Sequence, residues 1–124
     1  MSASSRPCCL ILEDQALIGM SLEAYLEEAG FGVAGPFLSN ADATAWLRER
    51  TPDLALLDVM VKDGTCVDVA KELRARGVPL AIYSGLRPGT MLPPELGDVP
   101  WLAKPAERPA LARLLAELVG QRAG

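Results

Sequence analysis

Asp53-Leu54-Ala55-Leu56-Leu57-Asp58 is the stretch that most restricts how this chain folds. Its four central residues are apolar with no alternation, the pattern of a strand covered on both faces inside a parallel sheet. Sheets of that kind bind ligands at the carboxyl ends of their strands. Here that end is a carboxylate, Asp58, so the sequence predicts a chemically active rim with Asp58 on it.

The rest of the chain alternates accordingly. Cys8-Cys9-Leu10-Ile11-Leu12 is a buried first strand that ends in Glu13-Asp14. Over about 15–29, Leu17, Ile18, Met20, Leu22, Tyr25, Leu26 and Ala29 recur at helical spacing, and Gly30 closes that helix. Phe31-Gly32-Val33-Ala34-Gly35 is a weaker strand that Pro36 is expected to end. Ser39 or Asn40 caps a second helix with Ala43, Trp46 and Leu47 on one face, and Thr51-Pro52 stops it. After Asp58, residues 59–65 read as a loop containing Lys62-Asp63-Gly64. A third helix over about 66–76 ends at Gly77. Pro79-Leu80-Ala81-Ile82-Tyr83 is a fourth strand that delivers Ser84-Gly85. Residues 86–100 are too rich in proline and glycine for more than a helical turn near 93–96. Trp101-Leu102-Ala103 is a short fifth strand ending in Lys104-Pro105, and Leu111, Leu114, Leu115 and Leu118 stripe a last helix over about 108–121. Strand–helix alternation repeated five times, with the fourth helix short or irregular, predicts an α/β fold: a parallel sheet with helices on both faces and right-handed crossovers.

Composition narrows the chemistry. The 124 residues suit one domain, with a loose leader over 1–7 and a globular unit over 8–122. A formal charge of −4 offers no basic footprint for nucleic acid and no polybasic segment for a membrane surface. No apolar run approaches the roughly 18 residues of a membrane span. The chain has no histidine, so a histidine triad or histidine metal site is excluded, and any phosphohistidine belongs to a partner. Cys8, Cys9 and Cys66 show no Cys-x-x-Cys spacing and read as small buried hydrophobes, which fits a reducing, cytoplasmic location. Gly30-Phe31-Gly32-Val33-Ala34-Gly35 spells a dinucleotide fingerprint, but it follows a helix and supplies a strand, the reverse of what phosphate binding needs.

Parallel strands bring their polar ends to one edge: Glu13 and Asp14, then Asp58, Ser84 and Lys104. Three carboxylates packed together repel unless a cation joins them, and an all-oxygen set with an open position suits Mg²⁺. Lys104 brings a point charge suited to a phosphoryl oxygen and Ser84 a hydroxyl donor. Asp58 is then a carboxylate nucleophile of the type that forms an aspartyl phosphate. Singly, each residue has a plainer reading. Glu13-Asp14 also fits a helix cap and first-turn dipole pair, Asp58 a loop or cap residue, Ser84-Gly85 a turn and Lys104-Pro105 a surface loop.

Taken together, Glu13-Asp14, Leu57-Asp58, Ser84-Gly85 and Trp101-Leu102-Ala103-Lys104-Pro105 resemble the receiver domain of two-component response regulators, over nearly the whole chain. Gly77-Val78-Pro79, and Leu92-Pro93-Pro94 through Lys104-Pro105, further resemble a subgroup of stand-alone, single-domain receivers with no output domain. The resemblance implies a flavodoxin-like doubly wound sheet of order 2-1-3-4-5. It implies Mg²⁺-dependent transfer of a phosphoryl group to Asp58 from a histidine kinase or phosphotransfer protein. Asp14 and Asp58 would touch the metal, Glu13 would act through water and Met60 would lend its backbone carbonyl. Ser84 and Trp101 would form the switch, and the Lys104–Pro105 bond would be cis.

Three departures stand beside the resemblance. The loop after Asp58 is short, with Val61 where proline is common. Indole replaces the usual phenol or phenyl ring at Trp101. The weak fourth helix suggests a differently shaped output surface. Met60 and Leu86 are apolar and unable to orient an attacking water, so slow self-dephosphorylation is expected. The domain catalyses only its own phosphorylation and dephosphorylation in this reading. Its signal leaves by contact with a downstream protein or by onward phosphorelay, and the last helix is compatible with a homodimer. The competing readings are a phosphorylation-independent pseudo-receiver, an aspartyl-phosphate phosphatase (residue 60 is Met where an Asp-x-Asp would be needed) and a flavodoxin-like electron carrier, whose phosphate Glu13-Asp14 would repel.

Overall fold

A computed structural model describes residues 6–85 and 94–123. In chain order the elements are β1 (Cys8–Leu12), α1 (Ala16–Glu28), β2 (Gly32–Phe37), α2 (Asn40–Leu47), β3 (Leu54–Leu57), β4 (Met60–Val61), β5 (Gly64–Thr65), α3 (Val67–Ala75), β6 (Leu80–Ser84), a 3₁₀ turn (Pro94–Leu96), β7 (Trp101–Ala103) and α4 (Arg108–Ala123). The main sheet is parallel, in the order β2-β1-β3-β6-β7. That is the expected flavodoxin-like order once β4 and β5, which pair only with each other, are set aside.

Strand periodicity divides the core into two layers. Leu10, Leu12, Ala55, Leu57, Leu80 and Ile82 face α2 and α3, where they meet Ala43, Leu47, Val69, Ala70 and Leu73. Cys9, Ile11, Leu54, Leu56, Ala81 and Tyr83 face α1 and α4, where they meet Leu22, Leu26, Leu111, Leu115 and Leu118. This two-sided burial is why β3 carries no polar residue before its end. Where a fourth crossover helix would lie, the described residues hold only the turn at 94–96. Its Leu96 and the nearby Val99 enter the α2/α3 layer. Residues 1–5, most of the expected leader, and Leu86, Leu92 and Pro93 lie outside the described residues.

Two expectations are corrected. Pro36 does not end β2, which continues to Phe37 through a shift of register between Leu10 and Leu12. The edge position makes this tolerable, because the missing proline N–H leaves no inner ladder bond unmade. The path needs Gly35: its φ is +100°, and a Cβ there would lie 2.5 Å from the Phe37 nitrogen and 2.9 Å from the Ile11 carbonyl. The extension matters for the rim, since the Phe37 carbonyl accepts a hydrogen bond from the Glu13 amide at 2.9 Å. The second correction concerns residues 59–65. They are not a plain loop but a small antiparallel hairpin, Met60–Val61 against Gly64–Thr65, turned by Lys62-Asp63.

Cys9 and Cys66 are fully buried. Burial raises the Cys9 thiol far above its ordinary value. It also pushes Cys66 up to about 12, with a backbone hydrogen bond opposing and the Asp58 charge reinforcing the rise. Both values revert on unfolding. Their stabilising effect is therefore complete below the ordinary value of 9.0 and is lost as pH climbs from there towards about 12. Urea unfolding from pH 9 upwards should show stability falling by roughly one kcal/mol per pH unit and thiol. The slope should be smaller in Cys66→Ala; equal slopes in both proteins would refute the assignment.

Candidate functional site

The register of the ladders brings the polar strand ends level. Leu12 pairs with Leu57 and Leu57 with Ile82, while Ser84 pairs with Ala103. Glu13, Asp58, Ser84 and Lys104 consequently leave the sheet along one rim. Their backbones are fixed there: the Asp58 amide donates to the Leu12 carbonyl and the Lys104 amide to the Ser84 carbonyl, both at 2.9 Å.

Lys104 joins the rim across its width. Its Nζ lies 2.7 Å from Glu13 Oε1 and 3.0 Å from Asp58 Oδ2. Glu13 is almost wholly buried, and its Oε2 accepts a hydrogen bond from the Gln15 amide at 3.1 Å. The cap and first-turn reading of the acid pair is not what forms: Gln15 is the N-cap of α1, no side chain caps it, and the first turn holds no acid. Burial pushes the Glu13 carboxyl above its ordinary value, against the pull of Lys104 and Gln15 and with Asp58 adding to the rise. For Lys104, burial acts downwards, but its hydrogen bonds and the charges of Glu13 and Asp58 outweigh it and raise the ammonium.

Glu13, Asp14 and Asp58 each offer a carboxylate oxygen, and these oxygens lie within 4.8 Å of one another. Lys104 offsets one of the three charges, leaving a formal surplus of two negatives that a divalent cation matches. The donors are all oxygen, the preference of a hard cation. Asp14, Asp58, Met60, Ser84, Gly85 and Lys104 line one open cleft of about 390 Å³. Met60 stands on its rim, 40 % exposed, and Ser84 is buried in its wall. Trp101 is half-buried and packs against the α2/α3 layer. The Lys104–Pro105 peptide is cis.

Sequence reasoning missed the clamp on the hairpin that follows Asp58. Asp63 accepts hydrogen bonds from the Asn40 amide at 2.7 Å and the Ala41 amide at 3.0 Å, capping α2 from across the fold. Asn40 Nδ2 donates in return to the Thr65 carbonyl at 2.9 Å, and Ser39 Oγ accepts from the Asp42 amide. Those hydrogen bonds from the Asn40 and Ala41 amides hold the Asp63 carboxyl below its ordinary range. An Asp-Gly pair signals a turn, but nothing local in the sequence points from residue 63 to residue 40.

Residues 9–115 match the response regulator receiver domain. The chain is 27 % identical over 99 residues to the transcriptional regulatory protein PdtaR of Mycobacterium tuberculosis, a match covering 77 % of this chain and 48 % of PdtaR. It spans less than half the length of the curated relatives it matches. Among solved structures, a sensor protein from Polaromonas sp. JS666 is similar with a TM-score of 0.82 at 26 % identity, over 95 % of this chain and 99 % of the other. A CheY-like receiver domain from Methylobacillus flagellatus gives 0.78 at 24 % identity, over 92 % and 99 %.

Removing the Asp63 carboxylate leaves two first-turn amides of α2 without their acceptor. Asp63→Ala should lower the thermal unfolding midpoint by a few degrees, and Asp63→Asn, which keeps one acceptor oxygen, by less. Unchanged midpoints in both variants would show that the clamp carries no stability.

Proposed function

Because the chain belongs to the response regulator receiver domain family, a signalling domain rather than an enzyme acting on a separate substrate, we propose that it accepts a phosphoryl group on Asp58 from the phosphohistidine of a histidine kinase or phosphotransfer protein. The observation that carries this reading is the Lys104 ammonium bridging Glu13 and Asp58, with Asp14 in the same acidic cluster. A carboxylate oxygen of Asp58 forms the new P–O bond while the donor's P–N bond breaks, and the released imidazole takes up a proton. Lys104 then exchanges its contact with Asp58 for one with a phosphoryl oxygen and keeps Glu13 as its fixed partner. Ser84, in the wall of the cleft, donates its hydroxyl to a second phosphoryl oxygen. Glu13, Asp14, Asp58 and the Met60 carbonyl are the groups that would hold Mg²⁺, whose contribution when bound is to neutralise charge on the phosphoryl oxygens.

The partner surface follows from the same geometry. Leu17 and Met20 are one turn apart on α1, which leaves directly from the acid pair, and they are 82 % and 61 % exposed. With Met60 they are the large apolar side chains most exposed to solvent among the described residues. A donor protein covering them brings its phosphohistidine to the cleft. Downstream, Trp101 and Ser84 carry the change to the surface formed by the 94–96 turn, β7 and α4. No helix among the described residues is long and apolar enough to cross a membrane.

Intact mass after incubation with acetyl phosphate and Mg²⁺ should show one added phosphoryl group on the wild type and none on Asp58→Asn. After donor removal the adduct should persist for minutes or longer, because Met60 cannot orient water; loss within seconds would contradict this. An unmodified wild type would leave a phosphorylation-independent interaction module. Separately, Mg²⁺ at 100 times its dissociation constant should stabilise the protein by about 2.7 kcal/mol. Asp14→Ala should abolish that gain, and an equal gain in the variant would remove Asp14 from the metal site.

A further inference from the structure

We propose that Tyr83 is a positioning residue for Lys104, its ring fixing the ammonium beside the cleft and its hydroxyl pinning the turn that carries the lysine. Tyr83 lies next to Ser84 on β6, between the strand that supplies Lys104 and the strand that ends at Asp58. It is 4 % exposed and faces the α1/α4 layer, where the neighbouring strand residues are aliphatic. Lys104 Nζ sits 5.5 Å from the centre of its ring, within the range at which a cation is attracted to an aromatic face. The hydroxyl at the far end of the ring accepts hydrogen bonds from the Ala106 amide at 3.3 Å and from Arg108 Nη1 at 3.5 Å. Arg108 Nη2 donates onward to Ser21 Oγ on α1 at 3.1 Å. One side chain therefore touches the lysine, the backbone just beyond Pro105 and, through Arg108, the helix that starts at the acid pair.

The need for such a support is visible on the other side of Lys104. An open groove of about 620 Å³, lined by Ile18, Tyr83, Lys104, Pro105, Ala106 and Arg108 among others, adjoins the phosphoacceptor cleft and shares the lysine with it. Four rotatable bonds give Lys104 room to swing into that groove whenever its contact with Asp58 is given up. Phosphoryl transfer is governed by positioning and charge, so an ammonium that strays is a slower one. An aliphatic residue would fill the same core position without either contact. A buried tyrosine is expected to find a partner for its hydroxyl, and here the partner is the lysine-bearing turn.

The proposal rests on Lys104 acting on the phosphoryl group, and its test separates the two claims. The chain has three lysines, Lys62, Lys71 and Lys104, so a lysine-labelled ¹³C spectrum resolves their ε-methylene groups, with Lys104 assigned by its loss in Lys104→Arg. The Lys104 ε-protons should be shifted upfield of the other two by the ring current. Tyr83→Phe should keep the shift and Tyr83→Leu should abolish it, with amide spectra and thermal melts confirming the fold and Tyr83→Met used if the leucine variant does not fold. Uptake of phosphate from acetyl phosphate should slow roughly three- to thirty-fold in Tyr83→Leu and by less in Tyr83→Phe. A wild-type Lys104 without the upfield shift, or a folded Leu or Met variant phosphorylated at the wild-type rate, would overturn the positioning role. Wild-type protein that takes no phosphate but shows the shift would overturn the phosphoacceptor reading and leave the placement of the ammonium by Tyr83 intact.

Discussion

Mutual repulsion of three carboxylates is the constraint to which the rim of this domain answers. At 4.8 Å two unit charges repel by about 3 kcal/mol at an effective dielectric near 20. A domain of this kind has only about 5–15 kcal/mol of net stability, so three such groups are not brought together without compensation. The parallel ladders force them together nonetheless, because β1 and β3 are buried on both faces and their first polar residues fall at the same edge. Lys104 supplies part of the answer within the chain. A formal surplus of negative charge remains, and the cleft beside it is open to solvent.

Compensation by a single lysine works only if the lysine is held. The main chain does much of this: the Lys104 amide is bonded to Ser84, the Asp58 amide to Leu12, and the Glu13 amide to Phe37 at the end of β2. That last bond gives the passage of β2 through Gly35 and Pro36 a functional consequence, since a strand ending at Gly35 would leave Glu13 less firmly placed. Glu13, buried and bonded to both Gln15 and Lys104, is the more enclosed partner of the lysine, and Asp58 the more accessible one. Tyr83 belongs to the same support from below.

The far edge of the sheet is built differently. Among the described residues, Leu96 belongs to a 3₁₀ turn and Val99 follows it, and both reach the core there, beside the half-buried Trp101. On the near side, the hairpin after Asp58 is tied to α2 by Asp63 and Asn40. The hairpin that carries Met60 and the start of α2 are thus joined by hydrogen bonds between residues more than twenty positions apart.

How much of this was written in the sequence depends on whether the signal is local. Unbroken apolar runs ending in Asp14, Asp58, Ser84 and Lys104 identified the strands, their parallel arrangement and the edge at which the polar ends meet, because burial on two faces dictates composition residue by residue. Proline and glycine content likewise foretold the helical turn observed at 94–96. Pro36 misled, because its cost depends on whether a strand lies inside the sheet or at its edge, which is a property of the assembled sheet. The partners of Asp63 and the place of Tyr83 under Lys104 were equally out of reach. A short polar side chain, or the tip of a tyrosine, is satisfied by whatever group the fold sets opposite it, and only the register of the strands and the packing of helices upon them determine which group that is.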